Sequence, residues 1–554
     1  MRDLTADEQK WVDETFSRMT LREKIGQLLM PYVSPGNAAP LSIGQMCATY
    51  GVAGGHMFRG SAQSRRSLAK EVWESCAVPP LLSGDLESGA GDCTPEATQF
   101  PSQMAVGATD DETLAEQMGE AIAVEGQLLG FNWNFGPMVD ICAHQDYLRQ
   151  TGVFGSDPCR VGALAAAQIR GIQSRGMAAC AKHFPGDGFD DRDQHLTCPV
   201  NPLSRDEWFA VSAVPFAAAI RAGVLSVMNT DISVPSIDPA KKADGFYRPS
   251  VVSPVLTREI LREQLGFQGV IVTDALNMAG MTYWCRRPQL YLEALLAGND
   301  LLLFVRKVGE TVEFLEECVG SGRLSERLVD EKCRRVLAMK ALMGLHRRRG
   351  LAETDSEAAD RLACSPYRQA ARAVAQRSVT LLRDSGGVIP LRLKKNSRIA
   401  SVCVTHLDSF SLCVFDDTLR QQGFAVTSIK NPQTDEMCDR VVAGEFDLVI
   451  LSIYYPSIWG WGTTRVHGPD SRVVMSGFPV AHPEVPAVYI SFANPFLVYE
   501  FAFMDPYLVT YGGAPEAQRA AALALAGAIP VTGRVPCRLD GFFERNDGIQ
   551  RGSG

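Results

Sequence analysis

The sequence predicts an α/β chain, a (β/α)8 TIM-type barrel followed by an α/β/α sandwich. Three observations predict it. Short apolar runs alternate with helix-like stretches up to about residue 345. A second, shorter alternation follows the charged, Gly-punctuated stretch His346–Asp360. Polar residues able to carry chemistry stand at the C-terminal ends of the first set of runs.

The first alternation supplies eight strand candidates: Ile25–Val33, Val52–Phe58, Pro80–Glu87, Phe131–Asp140, Met177–Phe184, Val224–Thr230, Gly269–Ala275 and Asp300–Phe304. Amphipathic stretches such as Asp111–Leu129 and Arg205–Ala222 lie between them, and strands alternating with helices imply a parallel sheet covered by helices. Eight such units in this length match the strand count of a (β/α)8 barrel. Segment Glu326–Met343 is a helix placed to close it. The second alternation has strand candidates Arg398–Thr405, Ala425–Ile429, Phe446–Tyr454, Val485–Asn494 and Pro506–Gly512, an open doubly wound pattern. The expected organisation is a barrel over 1–345, a linker over 346–375 and a sandwich over 376–554. The second region has neither GxGxxG nor GxxxxGK[ST], so no nucleotide is assigned to it. The Ala-rich run Ala520–Ala528 reads as a packed helix, and Tyr454–Trp461 reads as core or a subunit contact.

Composition narrows the function. The 554 residues are 46% hydrophobic, enough for a large core, and the formal net charge is -9. A net negative chain lacks the clustered Lys and Arg that phosphate contacts require, which argues against nucleic acid as a partner. The Arg347–Arg349 run reads as a solvated patch. No apolar stretch is long and charge-free enough to span a bilayer, and Met1–Lys10 lacks the apolar segment of a secretory signal. The fifteen cysteines form no CxxC pair and no zinc-type Cys/His spacing. Free thiols, a cytoplasmic location, no cofactor, no metal and a monomer or homodimer are the expectations.

A barrel places its chemistry at the C-terminal ends of its strands. Asp85 and Glu87 end the third candidate strand, Asp140 the fourth, Lys182 and His183 the fifth, Asn229 the sixth and Asp274 the seventh. An acid at the end of a buried strand costs desolvation energy unless it is compensated, so a convergent group of them points to a site. Carboxylates and lysines without a cofactor suit sugar hydroxyls. Retaining glycoside cleavage needs two acidic functions about 5 Å apart, one to attack the anomeric carbon and one to protonate the leaving oxygen.

The segment Lys182-His-Phe-Pro-Gly-Asp-Gly-Phe-Asp-Asp-Arg-Asp-Gln-His195 carries the most information. It resembles glycoside hydrolase family 3, and within it the β-N-acetylhexosaminidase branch, whose Lys-His-[Phe/Ile]-Pro-Gly loop ends in Asp-x-His at this spacing. Other segments are similar too: Met19–Leu28, Asn134-Phe-Gly-Pro-Met-Val-Asp140, Phe154-Gly-Ser-Asp-Pro158, Gly269-Val-Ile-Val-Thr-Asp-Ala-Leu276, Arg377–Leu382 and Gly533–Pro536. The resemblance implies that Asp274 is the nucleophile, that His195 is the general acid/base and that Asp193 orients it. It further implies sugar contacts from Asp85, Lys182, His183 and Asp140. The physics agrees: an imidazole with an unperturbed pKa near 6.5 can give and take a proton near neutrality. A carboxylate on its other nitrogen fixes the tautomer.

Two positions depart from the family pattern. Cys93 stands where a substrate arginine falls, and Gly152 stands two residues before Phe154 where another does. Arg149 is a candidate to reach back into the site. The expected function is hydrolysis of terminal β-linked N-acetylhexosamine of GlcNAc type. The alternatives are phosphorolysis of the same linkage, an altered sugar preference such as a β-glucoside, or a silent sugar-binding scaffold. The acidic loop Asp187, Asp190, Asp191, Asp193 could instead hold a hard cation, although it lacks EF-hand spacing.

Overall fold

The computed structural model describes residues 2–32, 41–144, 150–363, 365–461, 465–476 and 485–553. By its contacts the chain falls into two units. One comprises Met1–Thr98, Ala115–Ile141 and Val161–Tyr367, the other Gln99–Leu114, Cys142–Arg160 and Arg368–Gly554. The stretch 346–375, read from sequence as a linker, contains helix Asp355–Ala363 and most of helix Tyr367–Ser378.

The first unit holds β1 (Leu29–Pro31), β2 (Gly54–His56), β3 (Leu81–Gly84), β4 (Trp133–Asn134), β5 (Cys180–Phe184), β6 (Ser226–Asn229), β7 (Val270–Thr273) and β8 (Leu302–Val305). Each falls within its expected run, except that β8 extends one residue further. The start of the first run, Ile25–Gly26, is helical instead. It closes helix Leu21–Gly26, which Thr20 and Glu23 open with reciprocal side-chain and backbone bonds. The strands pair in parallel as β8–β1, β2–β3–β4 and β5–β6–β7. Backbone hydrogen bonds link these sets, among them Ala53 N–H to the Leu29 carbonyl at 3.0 Å, Asn134 N–H to Ala178 at 2.8 Å and Thr273 N–H to Leu301 at 2.9 Å.

Parallel strands are buried on both faces, so they read as continuous apolar runs. β7, Val-Ile-Val-Thr, is buried at all four positions. One core cluster takes residues from the length of this series: Met30, Ala53, Leu81, Trp133, Cys180, Met228, Val270, Val272 and Leu303. Val336 and Met339 of helix Glu326–Leu342 join it. Trp133 brings its indole N–H into this apolar region and donates it to Ser226 Oγ at 2.8 Å, which donates onward to the Ala179 carbonyl at 2.8 Å. The expected helix Arg205–Ala222 is two helices, Arg205–Ala210 and Ala213–Arg221. Pro215 has no N–H to offer the Val211 carbonyl, so the ladder breaks one turn earlier.

The second unit is built on one sheet ordered β11–β10–β12–β13–β14–β9, with β9 Thr380–Arg383, β10 Arg398–Thr405, β11 Ala425–Lys430, β12 Leu448–Tyr454, β13 Ala487–Ser491 and β14 Tyr507–Val509. The sheet therefore has one strand more than expected. β9 is a four-residue edge strand running antiparallel to β14, too short to stand out as an apolar run. Leu381, Ile399, Ile450, Val488, Ile490 and Leu508 from the strands pack with Phe415 and Leu419 of helix Cys413–Gln421 and with Ala521 and Leu525 of helix Pro515–Leu525. The aromatic segment divides. Tyr454 stacks on Phe410 at 3.9 Å and Tyr455 is buried, but Trp459 and Trp461 are exposed and so are not core. The described cysteines are free thiols. Among the described residues no helix is long and apolar enough to cross a membrane.

A polar cluster ties the N-terminal ends of β7 and β8. Asp300, fully buried, accepts the Ile271 N–H at 2.8 Å and pairs with Arg262 and Arg335, with Lys332 Nζ 4.0 Å away. Burial pushes its carboxyl pKa up, but Arg262, Arg335 and Lys332 outweigh this and hold it below the usual value. A carboxylate depressed on folding stabilises the protein above its unfolded pKa and loses that contribution as pH falls through its folded pKa. Asp300→Asn leaves buried cations unmatched and should cost about 3–5 kcal/mol at neutral pH. The gap between variant and wild type should narrow in melting experiments below about pH 4. A gap that stays constant from pH 7 to pH 3 would mean that the Asp300 charge does not hold these strands.

Candidate active site

All the site residues predicted from sequence that the structure describes lie in the first unit, at or beyond the C-terminal ends of its strands. Arg149 lies outside the described residues. The rest form three contiguous groups.

The first group surrounds Lys182 on β5. Its side chain is 2% exposed, and its ammonium meets Asp85 Oδ1 at 3.0 Å and Glu87 Oε1 at 2.6 Å. A buried ammonium needs opposite charge and hydrogen-bond acceptors, and the chain leaving β3 supplies both. Asp85 is half exposed, so its carboxylate faces both the lysine and solvent. His56, at the end of β2, was not singled out from sequence. Its Nδ1 is 3.1 Å from Ser83 Oγ, its Nε2 is 3.5 Å from Asp85 Oδ2, and its ring stacks on Phe135. Burial pushes the His56 pKa down, so the contact with Asp85 is that of a neutral imidazole rather than an ion pair. Cys93, where a family arginine would fall, points its thiol at the Asp85 carbonyl at 3.6 Å, and burial raises its pKa.

The second group is centred on Asp140, beyond β4. This buried carboxylate accepts the His183 backbone N–H at 3.1 Å and the Asp187 N–H at 2.9 Å, and meets the His183 ring at Nδ1 at 2.8 Å. Burial raises its pKa, and His183 together with these N–H groups brings it below the usual value. The pairing of β5 with β6 shifts register between Ala181 and Phe184, where Lys182 and His183 both stand buried.

The third group joins the loop after β5 to the end of β7. Asp193 Oδ1 accepts both the His195 backbone N–H at 2.9 Å and the ring at Nδ1 at 2.7 Å. Asp193 is buried, whereas the His195 side chain is 20% exposed. Asp274 follows β7. Its N–H bonds the Asn229 carbonyl at 2.7 Å, its Oδ1 accepts the Ala275 N–H at 2.6 Å, and its Oδ2 accepts from Thr230 Oγ1 at 3.2 Å. The two ends meet through Gln194, whose Oε1 is 3.4 Å from Thr230 Oγ1, and through the Ala279 N–H, 3.3 Å from the His195 carbonyl.

Two sequence readings change. Asn229 is spent on structure: its Nδ2 donates to Thr257 and Asn299 at 2.9 Å each, and its Oδ1 accepts from Ser250 at 2.6 Å. Asp231, two residues on, was overlooked although it sits fully buried beside Asp274. The polar triplet Asn229-Thr-Asp231, directly after the apolar run, was the available signal. In the acidic loop, Asp190 pairs with Arg192 at 2.9 Å and accepts the Val200 N–H at 2.9 Å. No group of three or more possible metal ligands exists among the described residues. The whole arrangement offers a partly exposed imidazole with a fixed tautomer, a nearby carboxylate and a lysine held between acids, a set suited to acid-assisted displacement at a hydroxyl-rich carbon.

Comparison with known proteins supplies the family. The profile described as "Glycosyl hydrolase family 3 N terminal domain" matches residues 20–339. A "Beta-N-acetylglucosaminidase/beta-glucosidase" of Cellulomonas fimi is 31% identical, over 98% of this chain and 99% of its own. A solved "Beta-glucoside phosphorylase BglX" bound to 2FGlc superposes with TM-score 0.87 at 28% identity, over 96% of this chain and 97% of its own. The family 3 beta-N-acetylglucosaminidase of Paenibacillus sp. str. FPU-7 does so with TM-score 0.83 at 27% identity, over 94% and 99%. With the family's profile covering most of the first unit and a relative matching end to end, the chain belongs to glycosyl hydrolase family 3 and is a glycoside hydrolase resembling that family's β-N-acetylhexosaminidases.

Proposed function

We propose that the chain is a retaining exo-β-glycosidase that removes terminal β-linked N-acetylhexosamine of GlcNAc type. Asp274 is the nucleophile and His195, oriented by Asp193, is the general acid/base. The observation that carries this reading is the doubly held imidazole: one Asp193 oxygen meets both the backbone N–H and the Nδ1 of His195. With Nδ1 committed, Nε2 carries the proton that moves. In the first step Asp274 attacks the anomeric carbon as the glycosidic C–O bond breaks, and Nε2–H protonates the leaving oxygen. In the second, Nε2 takes a proton from water, which attacks the face the aglycone left, opposite Asp274, breaking the ester bond and restoring the β configuration. Asp85, Lys182, His183 and Asp140 hold the sugar hydroxyls.

The first unit is read as a closed (β/α)8 barrel and the second as an α/β/α sandwich. Closure is supported by the pairing of β8 with β1 and by the backbone bonds that join each strand set to the next. The shared core cluster is what a side-chain-filled barrel requires.

Phosphorolysis is the second reading. A neutral imidazole beside the glycosyl ester repels an incoming phosphate dianion less than a carboxylate would, and a solved phosphorylase is among the similar structures.

Three outcomes follow. Asp274→Ala should fold normally and lose at least about 10⁴-fold in kcat. A 2-fluoro or 5-fluoro glycosyl trap should then label the wild-type peptide containing Asp274 by mass spectrometry. A label on any other residue removes Asp274 from the role. For His195→Ala, the loss should grow with leaving-group basicity: small on nitrophenyl glycosides and at least about 10²-fold larger on disaccharides. A flat series would make His195 a binding residue. With Cys93 and Gly152 in place of two arginine forks, aryl β-GlcNAc and aryl β-glucoside should differ in kcat/KM by less than about 100-fold. Running that pair with and without phosphate, and identifying the products, separates the two readings. Free sugar in both conditions supports hydrolysis, and sugar 1-phosphate replaces it with phosphorolysis.

A further inference from the structure

Thr230 stands between two carboxylates. Its Oγ1 is 3.2 Å from Asp274 Oδ2 and 3.2 Å from Asp231 Oδ1, and Gln194 Oε1 is 3.4 Å away on a third side. A threonine hydroxyl has one proton to donate and lone pairs to accept with. It cannot serve both carboxylates as donor. Gln194 can turn its amide and present N–H instead, since Nε2 has no partner among the described residues. A carboxylate has no such option and must carry a proton to become a donor.

The surroundings decide which acid carries it. Asp231 is fully buried, its Oδ2 meets no hydrogen-bond donor among the described residues, and a Cβ built on Gly280 would lie 2.5 Å from that oxygen. Asp274 is bonded by the Ala275 N–H as well as by Thr230. Among the described residues, the charged groups that act most strongly on Asp231 are Asp274 from the end of β7 and Asp187 from the loop after β5. The Cys198 thiol, from that same loop, donates to the Asp231 carbonyl. Helix Ala279–Trp284 presents Gly280, which has no side chain. No cation is among them, and burial together with Asp274 raises the Asp231 pKa well above the usual carboxylate value.

We propose that Asp231 is a positioning residue held as a neutral carboxylic acid: it donates to Thr230 Oγ1, which thereby turns its own proton onto Asp274. The neutral acid aims the Thr230 proton at the nucleophile. An ionised Asp231 would compete for it and would place a second negative charge beside the carboxylate that attacks. Gln194, between Asp193 and His195, completes the chain, so the loop of the acid/base and the strand of the nucleophile share one hydroxyl. The inference rests on Asp274 being the nucleophile.

The test uses the full-length enzyme and three variants: Asp231→Asn, whose amide N–H replaces the acid O–H, Thr230→Val, which keeps shape but removes the hydroxyl, and Asp231→Ala. In infrared difference spectra at neutral pH, wild type minus Asp231→Asn should contain a protonated-carboxyl C=O band. Carboxylate bands instead would overturn the proposal. Melting supplies a second readout. A carboxyl whose folded pKa is raised takes up a proton on folding, so wild-type stability falls relative to Asp231→Asn as pH rises above the unfolded value of about 4. Asp231→Asn should therefore melt at or above wild type at pH 7, with a gap that closes toward pH 4. An Asn variant that melts lower, with a gap widening as pH rises, marks an ionised Asp231 and overturns it. On dinitrophenyl β-glycosides Asp231→Asn should keep kcat within about threefold, and Thr230→Val should lose about tenfold or more in kcat with KM little changed. Loss in Asp231→Asn as deep as in Asp231→Ala overturns it. Fluoro-sugar labelling of wild type judges the nucleophile separately: a label away from Asp274 defeats that assignment, whereas the spectra and melting curves report on the Asp231 proton either way.

Discussion

A carboxylate taken out of water must be met by donors, and at Asp140 one neighbouring segment supplies three of them. The His183 N–H, the His183 ring and the Asp187 N–H all converge on it. Asp140 thereby fixes the path by which the chain leaves β5. That exit sets the start of the loop that reaches Asp193 and His195. Removing the carboxylate would leave two backbone donors and an imidazole nitrogen buried beside one another, and unmet buried groups cost about 1–3 kcal/mol each. The position of the proposed acid/base thus depends on a residue that takes no part in moving protons.

Charge is balanced locally at each step around the strand ends. Lys182 sits between Asp85 and Glu87, and Asp193 faces the His195 ring. A sugar entering the proposed site would meet groups whose directions are already set, and fixed dipoles and charges need little rearrangement as a transition state forms. The same preorganisation explains why so many of the groups are buried. A solvated lysine or aspartate would be free to turn away, whereas these are held by the core beneath them.

Much of this was legible in the sequence. Strands of the first unit such as Val270–Thr273 were visible because a parallel strand buried on both faces tends to read as an apolar run. The motif from Lys182 to His195 located the dyad because orientation by a residue two positions away is a local property. What could not be seen was set by tertiary structure. β9 is short and lies at an edge. Asn229 and Asp231 look alike in sequence, yet one is consumed by Ser250, Thr257 and Asn299 while the other is sealed beside Asp274. His56 reaches Asp85 only because β2 and β3 are neighbours. Alternation and motif spacing carry no information about such cross-strand meetings.

The Asp300 cluster and Asp274 stand at opposite ends of the same strand pair. Asp300 bonds Ile271 near the start of β7, and Asp274 follows its end. The ion cluster and the proposed nucleophile therefore lie at separate ends of one strand, and distant sites contribute nearly additively to stability. An exchange at the proposed sugar-binding end can then alter what is recognised without loosening the ion cluster at the far end. Substitutions at the proposed site can then be read for their effect on sugar preference while the scaffold keeps the stability it needs to fold.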